Sequence, residues 1–325
     1  MILKPTDPAI RFTGRWNKTE DCAITTAPGG MIEIAFTGQA AVLLFDTTFN
    51  QQPYPHVWIS VDNGPRIEAP IDRYLRINTL TDGSHYVQVI YKSAVEMQHR
   101  WYDPLVGKLS FCGAEASGAG ALPADNRKTI EFIGDSITEG VLVDAFYQPE
   151  KVEQWNRPNQ DDAAATYAYL TAEKLHLRPV IMGYGAVGIT KGGCGSVPKA
   201  AEAYPYCYAG VPIESENADY IVINHGANDQ WADEDVYLAG YRELLDLVRG
   251  RNPRAVIIAL GAFCGAFAEG LGEMVRAYNQ EKQDSVFFID TRGWIPLEPL
   301  HPLREGHRIL AENLSAALVE MGIVK

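Results

Sequence analysis

The rhythm at which apolar side chains recur changes once along this chain, near residue 113, and that change requires a fold with two dissimilar parts. Before it, short runs alternate apolar and polar residues, the period of a strand with one face buried. Residues 31–37 alternate in this way, and 41–45 do so more weakly. His56–Val61 runs into Asp62-Asn63-Gly64, where Asn and Gly tolerate the positive φ of a tight turn, so 66–69 is the expected return strand. Residues 85–92 follow Asp82-Gly83 and alternate again, and 108–112 close the set. No long helical pattern interrupts these runs. Several short strands at this spacing predict a β-sandwich or jelly roll over 1–115.

A stretch of small residues follows, with Gly113-Ala114-Glu115-Ala116-Ser117-Gly118-Ala119 at its start. It has little to bury, and 116–127 reads as a linker. From 128 to 325 the pattern becomes strand, loop, helix, repeated. Apolar strands are expected at 129–133, 179–184, Tyr220–Asn224, 255–260 and 286–289. A helix over 163–175 is capped by Asp161-Asp162. A second, over 233–249, carries a stripe of Tyr237, Tyr241, Leu244, Leu245 and Val248, with Gly250 past its end. Leu310, Leu314 and Leu318 mark one face of a closing helix. Apolar strands alternating with helices predict an α/β domain with a parallel sheet covered on both faces.

The chain has 325 residues, 46% of them hydrophobic and 21% charged, enough to bury the cores of two ordinary domains. Its formal net charge of −13 repels phosphate backbones and anionic bilayers, and no Lys/Arg-rich run offsets it. Nucleic acid and membrane surfaces are therefore not expected partners. No apolar run approaches the ~20 residues that cross a bilayer. The five cysteines, Cys22, Cys112, Cys194, Cys207 and Cys264, include no Cys-x-x-Cys pair, so neither a zinc cage nor a dithiol redox site is expected. They read as free thiols in a reducing compartment, with one bridge such as Cys194–Cys207 left open. Residues 1–8 show no positive segment followed by an apolar stretch, so a cytoplasmic location is expected unless a leader was trimmed. A homo-oligomer stays open.

In an open α/β sheet, functional loops lie beyond the carboxyl ends of the strands. Four such ends here carry polar or glycine-rich runs. They are Gly134-Asp135-Ser136, then Gly183-Tyr184-Gly185-Ala186-Val187-Gly188, then Gly226-Ala227-Asn228-Asp229, and last Glu298-Pro299-Leu300-His301. A parallel sheet brings them to one edge. A serine hydroxyl becomes a nucleophile when a base takes its proton. Of the seven histidines, His301 alone combines an acidic residue three positions before it with a place ahead of the last helix. His307 fits that helix's first turn as a structural residue, and His225 reads as packing. Asp135 and Asp229 read as loop braces.

The four blocks, in this order, resemble the SGNH or GDSL hydrolase family over 128–325. The resemblance implies a flavodoxin-like α/β/α sandwich and a serine esterase needing no metal or cofactor. It assigns Ser136 as nucleophile and His301 as general base. It assigns the oxyanion hole to the backbone N–H groups of Ser136 and Gly185 and the side-chain amide of Asn228. Loss of one such donor typically costs ~3 kcal/mol of barrier. Glycine at 185 suits the task because a missing Cβ lets substrate approach the backbone. Glu298 stands where most relatives hold Asp to orient the imidazole, and it is one carbon longer. Asp290 is a second candidate, and some members of the family work as a Ser-His dyad. Trp231 and Trp294 flank the third and last blocks as candidate substrate-stacking rings. Tyr204, Tyr206 and Tyr208 either line a cleft or cover the sheet.

A β-sandwich ahead of an SGNH domain is similar to carbohydrate esterase family 2, an acetyl xylan esterase-like architecture. Gly14-Arg15-Trp16 and Asp82-Gly83-Ser84-His85 fit its first domain. This resemblance implies a carboxylic ester hydrolase that removes O-acetyl groups from oligosaccharides or xylan. One alternative is a lipase, arylesterase or thioesterase acting on acyl chains, which an apolar pocket would favour. Another is a catalytically inactive carbohydrate-binding protein, against which the complete set Ser136, Gly185, Asn228 and His301 argues.

Overall fold

The computed structural model describes residues 1–145, 157–214 and 218–324. Its first part is antiparallel. The nine strands are β1 (Ile2–Leu3), β2 (Ile10–Thr13), β3 (Asn17–Lys18), β4 (Ala23–Thr25), β5 (Met31–Phe45), β6 (His56–Val61), β7 (Ile67–Pro70), β8 (Tyr74–Ser93) and β9 (Leu109–Ala119). They pair in the order β3-β4-β9-β5-β8-β6-β7, with β1 on β9 and β2 on β5. The β6–β7 turn forms as expected, with Asp62 and Asn63 at φ 51° and 59°. The runs 31–37 and 41–45 are one strand, broken in register between Gly38 and Ala40, where Gly38 adopts φ 114°. A bulge of this kind shifts which face the side chains take, and so reads as a gap.

The expected antiparallel β domain forms, its nine strands joined through the long strands β5, β8 and β9, whose pairings carry register shifts. The expected boundary changes. Strand β9 runs to Ala119, into the stretch expected to be linker, because Ala116, Gly118 and Ala119 pair with β5. Small residues do not prevent pairing when a neighbouring strand supplies the ladder. The cysteines depart from expectation too. Cys22 on the turn before β4 is bridged to Cys112 on β9, while Cys194, Cys207 and Cys264 are free. The bridge follows from the β4–β9 pairing, which the sequence did not reveal, and these two residues no longer argue for a reducing compartment.

The second part alternates β10 (Thr129–Gly134), α1 (Ser136–Glu139), α2 (Arg157–Gln160), α3 (Tyr167–Lys174), β11 (Arg178–Gly183), α4 (Ala200–Ala203), a ribbon of β12 (Tyr206–Tyr208) and β13 (Val211–Pro212), β14 (Tyr220–Asn224), α5 (Glu234–Arg251), β15 (Val256–Leu260), α6 (Ala268–Lys282), β16 (Phe287–Ile289) and α7 (Arg304–Glu320). The sheet is parallel, in the order β11-β10-β14-β15-β16. All five residues of β14 are buried, and they alternate between two cores. Ile221 and Ile223 face Tyr237, Tyr241 and Leu245 of α5. Tyr220 and Val222 face Leu310 and Leu314 of α7 and Ala168 of α3. Strands buried on both faces are what a sheet covered on both sides demands. Helix α6 had no sequence signal, because Gly270 and Gly272 interrupt its first turns and Ala268, Leu271, Val275 and Tyr278 bury only a narrow stripe.

Charges and a small apolar cluster join the two parts. Met31 and Ile90 pack on Ala164 and Tyr169. Arg15 donates to Glu131 of β10 at 2.8 Å and to the Tyr204 carbonyl at 2.6 Å, and both side chains are buried. Lys92 is 1% exposed and donates to the carbonyls of Pro158 and Asp161. Buried charges of this kind are tolerated because each has its hydrogen-bond partners.

Candidate active site

Strand order reverses between β10 and β14, since the chain goes to β11 on one side and then returns past β10 to β14. Such a switch point opens a crevice at the carboxyl ends of the strands. Ser136 stands there, as the first residue of α1. The turn into α1 is tight. A Cβ on Gly134 would collide with the Thr138 hydroxyl and the Asn224 carbonyl. Asp135 caps the helix, its Oδ1 accepting from the Ile137 N–H at 3.0 Å. Ser136 is thereby fixed at a helix start where its own N–H has no acceptor among the described residues.

His301 Nε2 lies 2.9 Å from Ser136 Oγ, although 165 residues separate them in the chain. The segment that carries it is pinned to the α1 side. The Arg304 N–H donates to the Val143 carbonyl at 2.9 Å, and the Arg304 guanidinium bonds Asp144 and Asp162. Burial holds the His301 imidazolium below the usual histidine range, opposed by the Glu96 charge and aided by Arg157. The ring is therefore neutral near pH 7, the state a proton acceptor needs.

Three loops are stitched together beside this pair. Asn228 Nδ2 donates to Asp135 Oδ2 at 3.2 Å and to the Val187 carbonyl at 3.1 Å. Asp229 accepts from the Ile189 and Thr190 N–H groups and from the Thr190 hydroxyl. Asp135 is buried, and desolvation pushes its carboxyl up to about 7. Asp135 and Asp229 are thus the loop braces expected. Asn228 lies between the first and second blocks, and one of its two protons must turn from its present acceptor to reach an oxyanion. The Gly185 N–H, like that of Ser136, donates to no acceptor among the described residues.

Other expected residues fall elsewhere. Glu298 is exposed and makes no hydrogen bond or ion pair with His301 among the described residues; the structure does not bring the two together. Asp290 is engaged by Arg292, its own neighbour two residues on. Trp231 projects into solvent at 97% exposure, whereas Trp294 is partly buried against the α3/α7 core. Tyr204 is buried beneath Arg15 and bonded to Asn252. His307 is buried, accepts from the Tyr167 N–H and stacks on that ring; burial pushes its pKa down to about 3. His225 is buried as well, its pKa pushed down to about 4 by desolvation. Among the described residues no group of three or more His, Cys, Asp or Glu is arranged to hold a metal.

The neighbours that the sequence did not reveal come from the β domain. Arg100 is completely buried and forms an ion pair with Glu139, the last residue of α1, with its guanidinium over the Tyr184 ring. Glu96 reaches Gly185. Both belong to the loop after β8, whose sequence has no motif spacing to mark it.

The model of the GDSL-like lipase/acylhydrolase family matches residues 132–309. The chain belongs to that family. Among curated relatives, the Cellulase/esterase CelE of Acetivibrio thermocellus is 26% identical over 349 residues, covering 96% of this chain. The chain spans only 39% of the length of CelE. A family two carbohydrate esterase from Clostridium thermocellum, solved as an active-site mutant, superposes with a TM-score of 0.82 at 22% identity, covering 98% of this chain and all of that one. The acetyl xylan esterase Est2A from Butyrivibrio proteoclasticus gives 0.81 at 21% identity, covering 99% of both chains. Both solved structures superpose over the two parts of this chain, so a β domain ahead of an α/β domain is an architecture they share with it.

Proposed function

We propose that this GDSL family member is a serine esterase that removes O-acetyl groups from carbohydrates. The observation that carries the reading is the 2.9 Å contact of Ser136 Oγ with His301 Nε2 at the switch point of the sheet. The whole-length likeness to family two carbohydrate esterases supports the acetyl-sugar substrate, and a Clostridium thermocellum member of that group was solved with cellohexaose.

In this reading His301 takes the Ser136 proton as Oγ attacks the ester carbonyl. The carbonyl oxygen gains the negative charge, which the N–H groups of Ser136 and Gly185 and the Asn228 amide stabilise. Collapse expels the sugar hydroxyl, protonated by His301. Water, deprotonated by the same ring, then releases acetate and restores Ser136. The unpaired N–H groups suit an oxyanion, and the lowered His301 pKa suits a base. With Glu298 turned to solvent, Ser136 and His301 act as a dyad.

A fluorophosphonate probe tests the nucleophile. It labels wild type and leaves Ser136→Ala unlabelled, and the substitution lowers kcat on acetylated sugars by at least ~10³-fold. Acetylated oligosaccharides are cleaved faster than longer p-nitrophenyl esters. Absence of labelling and of hydrolysis in wild type would refute the esterase reading, and preference for long acyl chains would replace the sugar ester with a lipid-like one.

A further inference from the structure

Glu96 lies in the loop after β8 and enters the active site from the β domain. Its two carboxylate oxygens are used differently. Oε1 accepts a hydrogen bond from Arg157 Nη1 at 2.9 Å. Oε2 stands over Gly185, so close that a Cβ at that position would collide with it. The space expected to admit substrate beside the Gly185 backbone is therefore walled by a carboxylate. This gives glycine at 185 a second reason: a side chain there would expel Glu96.

The wall is rigid. Arg157 is also held by Asp161, through Nε at 3.1 Å and Nη2 at 3.0 Å, so the cation is shared between two carboxylates. The Glu96 carbonyl accepts from Arg100 Nη2 at 3.3 Å, and the Arg100 N–H donates to the Gly195 carbonyl at 3.0 Å. The charge of Glu96 also acts on His301, which places it within electrostatic reach of the base. Oε2 has no hydrogen-bond donor among the described residues, and it is not among the fully enclosed unpaired atoms. A partly exposed carboxylate with one free oxygen thus faces the position where an ester must bind.

An alkyl acyl chain offers that oxygen nothing, and covering it would strip water from a charge without replacement. A sugar offers hydroxyl donors adjacent to the esterified carbon. We infer that Glu96 is a specificity-determining residue of this site, its Oε2 accepting a hydrogen bond from a free hydroxyl of the sugar that carries the acetyl group. The inference rests on the esterase reading of Ser136 and His301. A site built to bond a substrate hydroxyl discriminates strongly against esters that lack one, because the acceptor is then left buried and unpaired.

The test compares Glu96→Ala and Glu96→Gln with wild type on acetylated xylo-oligosaccharide, p-nitrophenyl acetate and p-nitrophenyl butyrate. In the Ala variant the ratio of kcat/KM on the acetylated sugar to that on p-nitrophenyl acetate falls about tenfold or more, mainly through KM. The ratio for butyrate over acetate rises as the wall loses its charge. The Gln variant, which keeps an acceptor oxygen and the shape, falls between wild type and Ala. Equal losses on all three esters, or an unchanged sugar ratio, would overturn the inference. Should the Ala variant not fold by thermal unfolding, the isosteric Gln variant decides, and an unchanged sugar ratio there overturns it. Wild type that is labelled by fluorophosphonate while the ratios stay constant refutes this inference alone. Wild type that is neither labelled nor active refutes the esterase reading and this inference with it.

Discussion

The two domains handle their strands in opposite ways. In the parallel sheet, β10 and β14 are buried along their whole length and end together at one edge. In the antiparallel domain, β8 exposes alternate residues at its Tyr74 end and is fully buried over its last five residues, where it meets the second domain. The first arrangement collects distant loops at a common edge and so builds the Ser136–His301 pair. The second delivers one loop, 94–108, against that edge from outside. The proposed catalytic pair and its surroundings thus have different origins: the parallel sheet supplies Ser136 and His301, and the β domain supplies charges that grip and flank them.

Arg100 is the sharpest place to test that division, because it joins the β domain to α1 through Glu139. Both side chains are almost without solvent exposure. Arg100→Ala leaves Glu139 buried and unpaired, and it should lower the unfolding free energy by ~3–5 kcal/mol in chemical denaturation. A loss below ~1 kcal/mol would mean that the β domain merely sits beside α1. Asn228→Ala probes the parallel sheet's own share. It removes a proposed oxyanion donor while the Ser136–His301 contact remains, so kcat should drop ~10²–10³-fold. Thermal unfolding of the same variant separates this from loss of the Asp135–Asn228 tie.

The acid limb of the pH profile tests how the base is held. Burial lowers the His301 pKa from the ordinary 6.5, and in the proposed mechanism the neutral ring is the active form. Activity is therefore complete above that ordinary value, and kcat/KM falls only as pH drops through the lower pKa of the folded enzyme. Replacement of Glu96 by Gln removes an opposing charge and should move the limb further toward acid. The smallest effect belongs to Glu298→Ala. An exposed, unpaired side chain is worth within about ±0.5 kcal/mol, so kcat/KM should stay within about twofold. A hundredfold loss would restore Glu298 as the third member and end the dyad reading.

The motif residues were legible because a parallel sheet converts sequence order into position. Gly134-Asp135-Ser136 and Gly226-Ala227-Asn228 follow apolar runs whose length and burial leave little choice of register. His301 was legible from its place before the last helix. Glu298 was misleading because spacing along the chain does not say where a side chain points, and here the loop turns it to solvent. The β4–β9 pairing behind the Cys22–Cys112 bridge joins short strands far apart in the chain, which periodicity cannot register. Helix α6 escaped because two glycines dilute its stripe.

By itself, then, the amino-acid sequence determined the division at the change of period, the parallel α/β domain and the placing of Ser136, His301, Gly185 and Asn228 at one edge of its sheet, since these depend on local pattern and on the order of strand ends. Only the tertiary structure decided that Glu298 stands apart from His301, and that Glu96 and Arg100 of the other domain press on Gly185 and Glu139. Those contacts depend on how two separately patterned domains dock. Docking is governed by shape and by the pairing of a few buried charges, and neither leaves a period in the chain.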